Sequence, residues 1–309
     1  MTTPSKINPP RNSQRQRGAA ILIMTLILML GLITLFTFRM DRKAPELEAD
    51  RKTAMALAQA KEALLGRAAS DDSPGTLSCP NIDASGIANS AGAAGCKAAV
   101  APSIIPLNAG RLPWKTLQMG NLYDGTGERL WYVLSPNFVD YGKALPPSTA
   151  GMISVNGGPN VAAVLIAPGP VLSGKTRPAG IDTIVTNYLE SYVDGGTIHT
   201  TLAPGNDRVI TISTAELFNL VTQRMAREFA LEVSAYYSAS ASSYPPTGWL
   251  PTSANWTTDH FKNWNIAGVT DFTRVSPIQG ALKFPPCVGE FTIQVVVGND
   301  AAVTGKVAC

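Results

Sequence analysis

The residues with the widest chemical reach in this chain are four cysteines, Cys79, Cys96, Cys287 and Cys309, and two histidines, His199 and His260. Thiolates and imidazoles at short spacing would hold zinc, but no C-x-x-C pair exists and only those two histidines are available. In oxidising surroundings the same thiols form disulfides. Four cysteines allow three pairings. The local one, Cys79–Cys96 with Cys287–Cys309, closes two short loops, and a loop near twenty residues stabilises by roughly 3 kcal/mol on the chain-entropy estimate. Catalytic patterns are absent: there is no G-x-S-x-G elbow, no H-E-x-x-H, no P-loop and no G-x-G-x-x-G between a strand and a helix. Either histidine has the chemistry of a general base, although a lone exposed histidine is ordinarily a solvated surface residue. Asp124-Gly125-Thr126-Gly127-Glu128 offers oxygens that suit calcium, yet two carboxylates are few for a dedicated loop and the segment also reads as a hairpin turn. Trp249, Trp256 and Trp264 lie in Pro-, Ser- and Asn-rich text and are candidates for an exposed contact surface, whereas Trp114 and Trp131 read as core. No catalytic residue, metal or cofactor is assigned, and the chain does not read as an enzyme.

Composition bounds the elements that must carry these residues. The chain has 309 residues, of which 45% are hydrophobic and only 15% charged. That excludes a long disordered polymer, and four cysteines are too sparse for a small disulfide scaffold. The net charge of +3 is concentrated at the start: Lys6, Arg11, Arg15 and Arg17 stand in the first 18 residues without an acid. The remainder carries 21 basic against 22 acidic residues, a net of −1, so no nucleic-acid partner is expected.

Ala19 to Phe38 is a run of twenty residues without a charge. A helix of that length spans roughly 30 Å, the thickness of a bilayer core, which predicts a transmembrane helix over 19–38. The cationic leader places the N-terminus in the cytoplasm under the positive-inside rule. The run is too long for a secretory signal and ends without a small-x-small cleavage site, so the helix is expected to be retained. Beyond it, Pro45 either kinks one helix or opens a second, with Glu46, Glu48 and Asp50 in the first turn. Ala54, Leu57, Ala58, Leu64, Leu65 and Ala68 then recur at helical spacing along an amphipathic stretch over 39–69. That stripe suits packing either on neighbouring stems or on the protein's own head.

Gln14-Arg15-Gln16-Arg17-Gly18, followed at once by Ala19-Ala20-Ile21-Leu22, sets a glycine between a basic leader and an apolar helix. This resembles the class III signal of type IV pilins and type II secretion pseudopilins, and the similarity covers residues 11–69. The resemblance implies cleavage between Gly18 and Ala19 by a prepilin peptidase, with methylation, and assembly with other pilins or pseudopilins through the N-terminal helix. It also implies a bacterial inner-membrane location with the head in the periplasm, and the assembled filament as a further location. The loop ending at Cys309 is similar to the C-terminal disulfide loop of many pilins. Major pilins carry glutamate at the fifth mature position, where this chain has Ile23. That departure, and the bulk of the head, imply a minor subunit at the tip or in an initiating complex. A second reading keeps the leader and makes the chain a bitopic inner-membrane protein whose periplasmic head binds a partner or catalyses a reaction.

The expected organisation is a leader over 1–18, a transmembrane helix over 19–38, a stem over 39–69 and a periplasmic head over 70–309. The fold class is α+β: a long N-terminal transmembrane and stem helix, then a mainly antiparallel β-sheet head with at least one further helix. Within the head, strands are predicted at 127–134, 161–167, 207–212 and 291–297, with 303–309 pairing on the last. A helix capped by Ser213 or Thr214 is predicted over 215–237, with Leu217, Leu220, Val221, Met225, Phe229 and Val233 on one face.

Overall fold

A computed structural model describes residues 14–83, 85–92, 95–96, 108–140, 142–177, 185–189, 192–193, 197–198, 206–296 and 300–309. Helix α1 (Gln14–Ser70) opens it. Nine strands come next: β1 (Ala91–Gly92), β2 (Gly95–Cys96), β3 (Ala109–Arg111), β4 (Trp131–Leu134), β5 (Ile153–Val155), β6 (Gly158–Ala167), β7 (Tyr192–Val193), β8 (Thr197–Ile198) and β9 (Arg208–Ser213). Helices α2 (Thr214–Ala239) and α3 (Ala254–Thr257) precede β10 (Asp271–Ser276), β11 (Gln279–Lys283), β12 (Val288–Gln294) and β13 (Ala302–Ala308). Two compact units divide the chain, residues 1–51 and 52–309, and the boundary falls inside α1.

In the first unit the expected transmembrane helix is corrected. Among the described residues no helix is long and apolar enough to cross a membrane. The single-pass inner-membrane placement with a periplasmic head falls with it, as does the bitopic reading built on the same span.

The separate stem is corrected too. From Lys52 onward the helix belongs to the second unit, where Ala56, Leu57, Ala60, Leu64, Leu65 and Ala68 are buried in the main core. Ala54 and Ala58, placed on the stripe by sequence, are exposed, and Thr53 is buried instead. The helix therefore presents a face rotated by about one residue, because the head covers it from one side only. Arg224 closes its C-terminal end, donating through Nη1 to the carbonyl oxygens of Ala69 at 2.8 Å and of Asp71. These are carbonyls that a helix end leaves unpaired.

The larger sheet is built on β6, which pairs antiparallel with β4 and with β9. Seven consecutive residues, 161–167, are buried. Ala163 and Leu165 enter the main core beneath α2, while Val161, Val164 and Ile166 enter a second core with Trp131 and Tyr188 on the other face. A strand covered on both faces has no polar side to alternate with, hence its unbroken apolar sequence. Strand β9 runs directly into α2: Ser213 is extended, and its Oγ accepts from Glu216 N at 3.1 Å as the N-cap. The face of α2 is as expected except for Leu220, which stands 39% exposed.

The second sheet is an antiparallel meander in the order β10-β11-β12-β13. Phe272, Leu282, Phe291, Ile293 and Val307 point into the core, while alternate residues face solvent. Its last two strands come close at Gly305, where φ is +91° and a Cβ would lie 2.6 Å from the backbone oxygen of Glu290. Neither conformation nor space suits a side chain there, so Gly305→Ala is expected to destabilise the head by about 2–4 kcal/mol. The check is a lowered urea midpoint with an unchanged denaturant slope; an unchanged midpoint would contradict this packing.

Candidate functional site

Gly18 and Ala19, the expected processing pair, lie in the first part of α1, outside the residues whose side chains are described. Lys6 and Arg11 of the leader lie outside the described residues altogether. Just beyond the pair, Ile21, Leu22, Ile23, Met24, Leu26, Ile27, Leu28, Met29, Leu30, Leu32 and Ile33 all stand exposed, from 54% at Leu30 to 73% at Leu22. Because they surround the helix, no single face is the apolar one, and a helix apolar all round requires cover on every side. Its two threonines present no unsatisfied hydroxyl to such cover. Thr25 Oγ1 donates to Leu22 O at 3.0 Å, and Thr34 Oγ1 donates to Leu30 O and Gly31 O at 3.0 and 2.9 Å. A Cβ at Gly31 would meet nothing within 4 Å, leaving room for a neighbouring backbone to approach. The segment can associate. Nothing in it can do covalent chemistry.

In the head, the four thiols form the two local disulfides, Cys79–Cys96 and Cys287–Cys309, and among the described residues no cysteine is free. The second fastens the end of β13 to the start of β12. Backbone contacts reinforce it: Cys309 N donates to Asn219 Oδ1 at 2.8 Å and Ala301 N to Ser234 Oγ at 2.7 Å, tying both ends of the strand to α2. The double change Cys287→Ser with Cys309→Ser is expected to cost about 3 kcal/mol, read from the denaturation midpoint. Mass mapping without reductant should recover Cys79 linked to Cys96 and Cys287 linked to Cys309, and four alkylatable thiols in the native protein would refute the pairing. Near the first bridge, the hydroxyl and backbone amide of Ser85 hold the Asp83 carboxyl below its ordinary range.

The 124–128 segment is a turn, and Asp124 is its centre. The side chain is fully buried. Its Oδ1 accepts from Thr126 N at 2.8 Å, Thr126 Oγ1 at 2.7 Å and Glu128 N at 2.9 Å, and Oδ2 accepts from Gly169 N at 3.0 Å. Thr53 of α1 supplies Oγ1 to Gly125 N at 2.8 Å, so the turn is also fixed to the helix. The carboxylate is spent on backbone donors. Beside it, Arg177 pairs with Glu128 at 3.6 Å, donates to Gly169 O at 2.6 Å and to Asn187 O at 2.9 Å, and stacks over Tyr188. Arg111 covers the Trp131 and Tyr188 rings at 4.2 and 4.4 Å. No pattern in the sequence signals this clamp, because Arg177 stands in unpatterned Gly- and Pro-rich text. The DGTG turn itself is the one available signal for Asp124.

The tryptophan surface is corrected. Trp256 is 1% exposed and Trp264 is fully buried. Phe229 of α2 gathers Trp249, Trp256 and Phe272 at ring separations of 5.5, 5.8 and 5.3 Å. Trp264 packs edge-on to Phe284 and donates from Nε1 to Leu145 O at 3.0 Å. Of the three candidates only Trp249 is partly exposed. His199 lies outside the described residues; His260 is half-buried, and its carbonyl accepts from Ala144 N at 2.8 Å. No group of three or more His, Cys, Asp or Glu placed to hold a metal occurs among the described residues. Burial pushes the hydroxyls of Tyr132 and Tyr244 upward, and that of Tyr244 donates to Ile293 O at 2.7 Å. Compared with known protein families, characterised proteins and solved structures, the chain matches none.

Proposed function

We propose that the protein is a minor subunit, at the tip or in an initiating complex, of a type IV pilin-like filament or type II secretion pseudopilus. The reading rests chiefly on one juxtaposition: a basic leader ending in Gly18, followed at once by a helical segment whose large apolar side chains are exposed on every side. Such a segment needs cover, and equivalent helices of neighbouring pilins supply it by close packing. The prepilin peptidase is the partner that removes the leader and its four cations, which would otherwise have to enter an apolar bundle. Ile23 offers no carboxylate to a neighbour's ammonium, which favours few copies over a repeating unit. Two disulfides suit a head that works in oxidising surroundings.

The test is N-terminal sequencing of protein co-expressed with an active prepilin peptidase. The expected mature chain begins at Ala19, and a mature chain still beginning near Met1 overturns the reading. Copy number is measured against the major pilin in sheared, purified filaments, where near-equal amounts would exclude a minor role.

A further inference from the structure

The outer face of the β10–β13 sheet carries a row of charges of alternating sign. Strand register places Asp271 beside Lys283, Lys283 beside Glu290 and Glu290 beside Lys306. Read across the sheet, the row is minus, plus, minus, plus. All four residues are exposed, and Lys283 Nζ lies 3.5 Å from Glu290 Oε2 with both side chains about half open to solvent. The next row on the same face is Thr273, Ala281, Thr292 and Thr304, short side chains that leave the surface flat. Val288, 77% exposed, adds apolar area to this face.

We propose that this face docks on the same face of a second copy of the chain. Two sheets stacked face to face can be related by a two-fold axis lying between them, either along the row or along the strands. An axis along the row would set each charge over its own copy, like against like. An axis along the strands reverses the row, so that Asp271 meets the partner's Lys306 and Lys283 meets the partner's Glu290. Every charge then faces its opposite, Thr273 meets Thr304, and Ala281 meets Thr292. The charge pattern thus selects one of two arrangements that both keep the strands aligned, as packed sheets commonly do, about 10 Å apart. Four strands about 4.8 Å apart and five to seven residues long give a footprint of about 400 Å² per copy. That is half of a standard interface, so the contact is weak when dilute and gains from any assembly that concentrates the heads.

The test uses full-length protein with its apolar segment shielded by detergent, cross-linked by a zero-length carbodiimide. Asp271 and Lys306 sit on the two edge strands, three strand spacings or about 14 Å apart, too far to join within one chain. A cross-link between them therefore reports contact between copies. Lys283→Glu alone and Glu290→Lys alone each set like charges opposite at the centre, and each is expected to lower that cross-link about tenfold. Mixing isotope-labelled Lys283→Glu protein with unlabelled Glu290→Lys protein should restore it as a mixed-label product. The pair within each chain stays broken in that mixture, so recovery can arise only across copies. No Asp271–Lys306 cross-link between wild-type copies, equal yield in the single variants, or no recovery on mixing would each overturn the proposal. Contacts between N-terminal helices are common to every combination, so the result does not depend on the filament reading.

Discussion

Replacing Asp124 with alanine is expected to lower the stability of the head by about 3–5 kcal/mol, the range for breaking a buried hydrogen-bond network. The carboxylate is fully buried and accepts from three backbone amides and one hydroxyl. Alanine would leave the amides of Thr126, Glu128 and Gly169 without this acceptor. The consequences reach past the turn. Thr53 alone would hold the turn at Gly125, and the loop carrying Gly169 would keep its bond to Arg177 but lose the one to the turn. Asp124→Asn keeps the shape and one acceptor oxygen, so its cost should be about half as large. Urea unfolding of both variants, with the disulfides intact, measures the difference. An alanine variant within about 0.5 kcal/mol of wild type, the range of ordinary surface changes, would show that the turn holds itself without this side chain.

Gly18→Val is expected to abolish processing. If the proposed function holds, the peptidase must bring the 18–19 peptide bond into its site past residue 18, where glycine presents no side chain. A branched Cβ displaces that bond, and a misplacement of about 1 Å can cost a hundredfold in rate. The uncut chain keeps Lys6, Arg11, Arg15 and Arg17 ahead of the exposed apolar helix. Packing that helix among others would then bury cations without partners, so assembly should fail along with cleavage. The measurement is the mass of the mature chain together with its presence in sheared filaments. Ala20→Val, two positions along, serves as control and should be cut normally. Equal cleavage of both variants would remove Gly18 from the processing site.

Several features of this protein come from local sequence alone. Ser213 before an amphipathic run places the start of α2, since a cap needs only its own hydroxyl and the amide three residues on. The unbroken apolar text of residues 161–167 identifies a strand covered on both faces. Proximity in sequence also favours the two disulfides that form. The apolar run after Gly18 is equally plain as composition, yet among the described residues no helix is long and apolar enough to cross a membrane.

Other features were decided only by the tertiary structure. Trp256 and Trp264 sit in Pro- and Ser-rich text that has no period, yet Phe229 and Phe284, distant in sequence, enclose them. Strands β10 and β11 carry little alternation of their own; β11 is held by pairing with β12, and β10 by pairing with β11. The buried face of α1 includes Thr53 and omits Ala54 and Ala58, because the head that covers it sets the angle. Asp124 is one polar turn residue among many until the fold brings Gly169 and Thr53 to its turn. A residue's local pattern reports which backbone it prefers and which side it turns from water. What it meets there depends on chain tens to hundreds of residues away, and only the closed fold brings those partners within hydrogen-bond or van der Waals range.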